Sequence, residues 1–224
     1  MSIQSINFAF IAKYLPLYAE AAVLTVRVAA MGILAALLVG IAVALVRWYR
    51  VPVLRQAAVA YVEISRNTPL LVQLYFLYFG LPKVGIIWSG ELCAVVGLMF
   101  LGGSYMAESL RSGLESVDRI QLESAASLGM GQLLTMREVV FPQALAVSVP
   151  GLCANVIFLI KETSVVSGIA LADLMYVTKD LIGLYYETGE SLMMLVVFYL
   201  LILLPVSLLA AWLERRLRFA GFGN

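Results

Sequence analysis

The stretch ILAALLVGIAVALV, residues 33–46, decides the fold of this 224-residue chain. It contains no charged, amide or hydroxyl side chain, and the residues before it are also mostly apolar. A helix needs about 20 predominantly apolar residues to cross the hydrocarbon core of a bilayer. The stretch is therefore predicted to form the second half of a membrane-spanning helix over about residues 17–46.

The composition of the whole chain agrees with that prediction. Hydrophobic residues make up 62% of the chain and charged residues only 13%, whereas soluble domains average about half apolar and a quarter charged residues. We therefore expect an all-α, polytopic membrane protein in contact with membrane lipid. The net charge of +1 gives no reason to expect a nucleic-acid partner.

The residue inventory also limits the chemistry of the chain. It contains no histidine, which removes most metal sites and the Ser-His and Cys-His catalytic pairs. Its two cysteines, Cys93 and Cys153, lie in apolar runs and are interpreted as small buried hydrophobic residues. The GxxxxGK[ST] pattern of a phosphate-binding loop is absent, so a partner would have to hydrolyse any ATP. We expect no enzyme activity, no cofactor and no metal site.

Five apolar segments are long enough to be predicted as membrane spans. They cover about residues 17–46, 56–80, 91–110, 148–169 and 191–212. If the N-terminus lies outside, the inner segments carry nine arginines and the outer segments carry only Lys13, Lys83 and Lys179. Those arginines are Arg47, Arg50, Arg55, Arg111, Arg119, Arg137, Arg215, Arg216 and Arg218. Because inner loops are enriched in positive charge, we predict an outside N-terminus and a cytoplasmic C-terminus.

This topology makes the long polar segment 112–147 cytoplasmic. Its centre, ESAASLGM at residues 123–130, is rich in helix formers, and Ser116 or Asp118 can cap the helix. Gly129 can adopt the left-handed conformation that ends a helix. A second helix is predicted from about residue 132, stopped or kinked by Pro142. The product is either a helix–glycine–helix projection or an ordinary loop helix lying on the membrane.

Polar residues inside the spans are candidates for function, because they are costly to insert. In the second span, Glu63, Arg66 and Gln73 are spaced to share one helical face. Glu63 and Arg66 are predicted to pair, with either a functional or a purely structural role. In the third span, Glu108 and Arg111 are three residues apart and are also predicted to pair.

Two further groups of polar residues lie within predicted spans. Pro69 breaks the second span, so Asn67 and Thr68 present polar groups where the backbone ladder is open, and broken helices of this kind line cavities in transporters. In the fourth span, Ser148, Asn155 and Glu162 repeat every seven residues. Such a stripe is expected to face a water-filled path or a partner subunit and not lipid.

Four stretches of the chain, in order, resemble ABC importer permeases for polar amino acids. ESAASLGMGQLLTMREVVFPQAL (123–145) resembles the EAA loop of these proteins, which Glu123, Ala125, Gly129 and Pro142 match, whereas Ser124 replaces the first alanine. The other three are SRNTPLLVQLYFLYFGLP (65–82), SYMAESLRSGLESV (104–117) and LIKETSVVSGIALADL (159–174). The resemblance covers nearly the whole chain.

The resemblance implies a single permease domain, residues 1–224, in the bacterial cytoplasmic (inner) membrane. The expected partners are a dimer of ABC ATPase subunits, a second permease (itself or a sibling) and an extracytoplasmic amino-acid-binding protein. The expected cargo is a polar L-amino acid, with a glutamine or glutamate type favoured over cystine or a cationic amino acid. The alternative is a secondary transporter driven by an ion gradient.

The resemblance also implies roles for particular residues. The residues expected to couple the chain to the ATPase are Glu123, Ser124, Ala125, Gly129 and Pro142. Those expected to line the substrate path are Asn67, Thr68, Gln73, Asn155, Glu162 and Thr163. For Glu162, the competing hypothesis is an ion pair with a lysine or arginine that only locks the helix bundle.

Overall fold

The computed structural model describes residues 6–220, with side chains described as far as residue 217, and that range is helical without any β-strand. Its α-helices are α1 (Phe8–Trp48), α2 (Leu54–Arg66), α3 (Leu70–Tyr75), α4 (Gly90–Glu115), α5 (Arg119–Ser127), α6 (Gln132–Thr135), α7 (Phe141–Glu162), α8 (Leu174–Tyr185) and α9 (Thr188–Ala220). Short π-helical turns at Phe76–Gly80 and Met136–Val140, and 3₁₀ turns at Leu81–Val84 and Thr163–Ile169, connect some of them.

Four helical segments of the described range are long and apolar enough to cross a membrane. They are Phe8–Trp48, Gly90–Glu115, Gln132–Ile169 and Thr188–Leu217. Each is longer than the span predicted from the sequence. α1, with 41 residues, is about 60 Å long at 1.5 Å per residue. It therefore extends beyond a hydrocarbon core of about 30 Å, and hydropathy marks only its most apolar part.

The second predicted span, 56–80, is not one helix. α2 ends at Arg66, and α3 begins only after Pro69, whose backbone is extended at φ −58° and ψ 140°. Proline lacks an N–H and clashes with the preceding turn, so the helix breaks there and restarts. Thr68 Oγ1 donates to the Ile64 carbonyl at 2.7 Å, and Asn67 Nδ2 donates to the Glu63 carbonyl at 2.8 Å. The Glu63 carbonyl also accepts from the Asn67 backbone N–H at 3.2 Å, so these two side chains add donors to the last turn of α2.

Of the two effects predicted for Pro142, a stop or a kink, the stop is wrong. Helical backbone continues from Gln132 to Ile169, with the π-helical turn Met136–Val140 directly before it. This wider turn accommodates a residue that has no N–H to donate. The Gln143 side chain adds a donor to the Val139 carbonyl at 2.9 Å. The segment between long helices is consequently shorter than the predicted 112–147, because α4 extends to Glu115 and the next long helix starts at Gln132.

The chain divides into two compact units, each built from three stretches of sequence. The first unit comprises the residues through Gly32, Pro69–Leu98 and Leu159–Val206. Its apolar core contains Tyr18, Leu174, Val177 and Leu181. The Tyr18 hydroxyl lies 2.9 Å from Thr178 Oγ1 and donates to the Ser191 carbonyl at 2.9 Å. α1 and α8 are thereby connected by a hydrogen bond as well as by apolar contact.

The second unit comprises Ile33–Thr68, Met99–Phe158 and the residues from Ser207 onward. Its apolar core contains Ala44, Leu114, Val117, Val140 and Ala144. Helices approach closely here because small residues occupy the contact points. A Cβ atom added to Gly113 would lie 2.0 Å from Ser148 Oγ and 2.3 Å from the Ala144 carbonyl oxygen. α4 and α7 can therefore pack at this distance only with glycine at position 113.

Candidate functional site

α5 is a short helix with a defined cap at each end. Asp118 Oδ1 accepts a hydrogen bond from the Ile120 N–H at 3.0 Å, which satisfies a free donor at the helix start. At the other end, the N–H groups of Gly129 and Met130 donate to the Ala126 and Ala125 carbonyls, both at 3.0 Å. This pair of bonds is a Schellman motif, and Gly129 takes the required left-handed conformation at φ 76°. The predicted helix and its glycine end are confirmed, and of the two predicted caps, Ser116 and Asp118, the structure has Asp118.

The predicted coupling residues differ in accessibility. Glu123, Ser124, Gly129 and Pro142 are exposed, whereas Ala125 is only 3% exposed. Glu123 Oε1 accepts from Arg119 Nε at 2.9 Å, one helical turn away. Ala125 is therefore packed inside the second unit, to which α5 belongs, and the exposed positions remain available to a partner.

The surface around α5 is unusually apolar for a segment between long helices. Ile120, Leu128 and Leu133 are 67%, 80% and 83% exposed. Beneath α5, an apolar cavity of about 410 Å³ is lined by residues that include Trp48, Leu122 and Met136. Exposed apolar side chains beside an exposed charge pair are typical of a protein-binding surface.

A charge cluster joins α1 to α4 in the second unit. Glu108 Oε2 accepts from Arg111 Nη2 at 2.8 Å, which confirms the predicted pair. Glu108 also pairs with Arg47, and Arg111 also pairs with Glu115. Arg47 could not be predicted as a partner of Glu108 because it precedes Glu108 by 61 positions, and helical spacing reveals only neighbours on the same helix.

The predicted Glu63–Arg66 pair is not formed. The Arg66 guanidinium lies over the Tyr105 ring, with its carbon 5.0 Å from the ring centroid, whereas Glu63 Oε2 accepts from Asn67 Nδ2 at 3.3 Å. Glu63 and Arg66 are three residues apart and lie near the same face of α2. Arg66 nevertheless contacts the Tyr105 ring on α4 and not the Glu63 carboxylate. Tyr105 carried no signal in the sequence that distinguished it from an ordinary packed aromatic residue.

Arg66 and Tyr105 belong to a polar cavity of about 420 Å³ in the second unit. Its lining comprises Arg66, Tyr105, Glu108, Ser109, Arg111, Ser112, Val147, Ser148, Gly151 and Asn155. Asn155 Nδ2 donates to Ser109 Oγ at 2.9 Å. Asn155 and Ser148, two members of the heptad stripe on α7, thus line a cavity, and it stays a prediction that the stripe faces a water-filled path or a partner subunit.

The other predicted path residues are not gathered at this cavity. Asn67 and Thr68 hydrogen-bond to the end of α2 in the second unit. Gln73, Glu162 and Thr163 belong to the first unit, where Gln73 is 9% exposed and Thr163 is fully buried. Thr163 Oγ1 donates to the Ile160 carbonyl at 2.7 Å. The structure therefore divides the predicted path residues between the two units.

Glu162 occupies the last position of α7 and is half-buried. Within residues 6–217, none of the ion pairs closer than 4 Å includes Glu162. The competing hypothesis of an ion-pair lock therefore finds no cation in the described part of this chain. The carboxylate remains available to a ligand or a partner subunit.

Asp173 is a buried acid that the sequence analysis did not single out. Its Oδ1 accepts from the Tyr176 N–H at 2.9 Å and caps α8, while its Oδ2 finds no partner among the described residues. Burial raises the pKa of Asp173 from 3.8 to about 6. An Asp at the start of an apolar segment is a common capping signal, but the sequence does not reveal that it is 1% exposed.

The chain belongs to the family described as binding-protein-dependent transport system inner membrane component, whose model matches residues 8–219. It is therefore a multi-pass inner-membrane protein and a transport component rather than a catalyst. The family assignment confirms the resemblance drawn from the four sequence stretches.

Relatives and a solved structure agree with this assignment over nearly the full length. A probable amino-acid ABC transporter permease, PatM of Vibrio harveyi, is 31% identical over 217 residues, covering 96% of this chain and 97% of the relative. The glutamine transport system permease GlnP of Escherichia coli strain K12 is 31% identical over 206 residues, covering 91% and 94%. A crystal structure of an amino acid ABC transporter with histidines is 31% identical, with a TM-score of 0.87 over 95% of this chain and all of the other.

Proposed function

We propose that this chain is the membrane-spanning subunit of an ATP-driven, binding-protein-dependent importer of a polar L-amino acid. The proposal depends above all on the structure of α5. It is a capped helix with exposed apolar and charged side chains, held between two membrane-length helices. Such a surface fits a separate ATPase subunit, which the chain needs because it lacks a phosphate-binding loop of its own.

The proposed topology has five spans, with the N-terminus outside and the C-terminus in the cytoplasm. Four spans are the membrane-length helices, and the fifth is the broken stretch from α2 to Val84, whose second part is apolar. A broken helix fits a membrane protein where side chains provide hydrogen bonds to the backbone at the break, as Thr68 does for the Ile64 carbonyl. This arrangement places α5 and the basic end of α9 on the ATPase side.

Transport in this proposal follows from movement of α5. ATP-driven closure of the ATPase dimer moves α5 and, through its buried Ala125, the helices of the second unit. The permease and a second copy or a sibling then alternate between outward and inward states. Glu123, Ser124, Gly129 and Pro142 present the exposed part of the coupling surface.

L-Glutamine is the cargo we propose to test first. The relatives include a glutamine transport system permease at 31% identity, which supports a neutral polar amino acid. In the first unit, Glu162 carries a carboxylate that can meet the ammonium of such a cargo. Selectivity among amino acids would be set largely by the binding protein.

Uptake energised in two different ways tests this function. The permease, its ATPase and its binding protein are reconstituted in vesicles, and L-glutamine uptake is measured with ATP, without ATP and with a protonophore. We expect uptake to require ATP and to survive the protonophore. Uptake that persists without ATP but collapses with the protonophore would instead establish the alternative, a secondary transporter driven by an ion gradient.

A further inference from the structure

We propose that the polar cavity lined by Arg66, Tyr105 and Asn155 binds the α-carboxylate of the cargo amino acid, with Arg66 as its principal ligand. This inference rests on the proposed function and adds a binding site to it. The volume of about 420 Å³ lies within the range of about 300–1,000 Å³ found for small-molecule sites. An amino acid therefore fits in it.

Arg66 is the cation of this cavity that no acid neutralises. Among the described residues, no carboxylate lies within 4 Å of its guanidinium, which rests on the Tyr105 ring at 5.0 Å. The ring holds the guanidinium by a cation–π contact, which does not use its N–H donors. A guanidinium presents these donors in a fork that matches a carboxylate with two parallel hydrogen bonds.

The other charges lining the cavity are engaged with each other. Glu108 accepts from both Arg47 and Arg111, and Arg111 also contacts Glu115. The charges of Glu108 and Arg111 in the cavity lining therefore offset each other. Arg66 gives the lining an excess of one positive charge. An anion or a zwitterion is favoured there over a free cation.

Neutral donors complete the site. Ser109 Oγ accepts from Asn155 Nδ2 at 2.9 Å, so its own hydroxyl hydrogen remains available to a bound anion. Tyr105 and Ser109 are four residues apart on α4, so Ser109 lies one turn along the face on which Arg66 rests. Ser148 also lines the cavity, is 2% exposed, and has an Oγ without a hydrogen-bond partner among the described residues.

Glycine at position 151 keeps this site open. A Cβ there would lie 2.8 Å from Ser109 Oγ, closer than such atoms pack without displacement. The hydroxyl of Ser109 would have to turn or withdraw. Gly151 on α7 therefore lets Ser109 keep its bond to Asn155 and still face the cavity.

Protection of a single cysteine from alkylation measures binding to the cavity directly. Ser112 lines the cavity and is exposed, so Ser112→Cys supplies a reporter thiol once Cys93→Ala and Cys153→Ala remove the two native cysteines. The purified permease–ATPase complex is treated with N-ethylmaleimide alone, with L-glutamine, or with L-glutaminamide, which lacks the carboxylate. We expect L-glutamine to slow alkylation at least threefold and L-glutaminamide to have no effect.

Matched variants assign the effect to Arg66. Arg66→Gln should abolish protection, and Arg66→Lys should retain a weaker protection because it keeps the charge but loses the paired donors. Arg55→Gln, which removes an exposed arginine from the same helix outside the cavity lining, should leave protection unchanged. Equal protection by L-glutaminamide or by acetate, protection that survives Arg66→Gln, or no protection would overturn the proposal.

ATP-driven L-glutamine uptake separates this inference from the proposed function, measured for the unsubstituted permease and for the reporter variant after each is reconstituted in vesicles with the ATPase and the binding protein. Normal uptake without protection of the reporter would overturn the carboxylate site alone. Absence of ATP-driven uptake would overturn the importer function, whatever the alkylation result.

Discussion

The left-handed backbone conformation of Gly129 determines where α5 ends. Its φ of 76° and the open space around it mean that a side chain there would be strained by the backbone and not by neighbours. Gly131, two residues on, has equally open space but a φ of −70° and an extended ψ. Substitutions at the two positions can therefore be compared to distinguish the effect of backbone strain from the effect of losing a glycine.

Gly129→Val should lower ATP-driven uptake severalfold, because a β-branched residue at positive φ disrupts the turn that ends α5. Gly131→Val should transport at close to the wild-type rate, since valine accepts that backbone conformation. The measurement is uptake normalised to the amount of permease in the membrane. Equal rates for the two variants would show that the turn geometry of α5 is not needed for coupling.

Glu108 is the residue on which the charge cluster depends. Its side chain is 20% exposed and pairs with Arg47 and Arg111, whose side chains are 18% and 31% exposed. Glu108→Gln leaves both arginines without their shared acceptor and should destabilise the protein by about 2 kcal/mol, between the effects for exposed and for buried pairs. Glu115→Gln removes an acid that is 56% exposed and should cost less than about 1 kcal/mol. Thermal midpoints in detergent should therefore fall clearly for the first variant only; similar midpoints would contradict the assignment.

Glu162 tests the substrate path in the first unit. If its carboxylate meets the cargo ammonium, Glu162→Gln should raise the L-glutamine concentration needed for half-maximal uptake roughly tenfold, the loss of about 1.4 kcal/mol of binding. Glu20→Gln, at an exposed acid of the same unit, serves as the control. Uptake kinetics that are unchanged in Glu162→Gln would rule out a substrate role for this residue.

At the scale of elements, burial of the Asp173 carboxyl at the start of α8 makes the stability of the fold depend on pH. Burial raises the pKa of Asp173 from 3.8 to about 6, so the folded protein holds this proton more tightly than the unfolded chain. The stabilising contribution of the protonated acid is complete below the unfolded pKa and is lost as pH rises through about 6. A shift of this size corresponds to about 3 kcal/mol.

Asp173→Asn should therefore raise the thermal midpoint at pH 8 and have much less effect at pH 4.5. The amide oxygen can still accept from the Tyr176 N–H, so the cap is preserved while the buried charge is removed. Asp180→Asn, at an exposed position of the same helix, should show no such dependence on pH. A midpoint gain for Asp173→Asn that is equal at both pH values would contradict the assigned pKa.

Elements governed by local chemistry could be predicted from the sequence. Asp118 and Gly129 fix the two ends of α5 through hydrogen bonds within a few residues. The effect of a proline is harder to predict, because it depends on how the surrounding backbone adapts to the missing N–H···O hydrogen bond. Pro69 breaks its helix completely, whereas a π-helical turn directly before Pro142 lets the helix continue through it. The same residue type thus gave opposite results in two apolar segments.

At the scale of the whole molecule, the membrane class and the all-helical fold follow from composition and apolar runs, and the family follows from four ordered motifs. The candidate site could be predicted only in part. Arg66 was assigned to Glu63 on its own helix, but it rests on Tyr105, and Glu108 shares its charge with the distant Arg47. Helical spacing reveals which side chains share a face, but only tertiary packing decides which of the facing groups meet.

Purification from native membranes in a gentle detergent, followed by mass spectrometry of everything that co-elutes, tests the importer function most directly. We predict one ATPase subunit with a phosphate-binding loop per permease, with or without a sibling permease, and its loss when the surface of α5 is disrupted by Gly129→Val. A permease that elutes alone from membranes whose vesicles still take up amino acid without ATP would contradict the importer function and leave α5 as an ordinary loop helix.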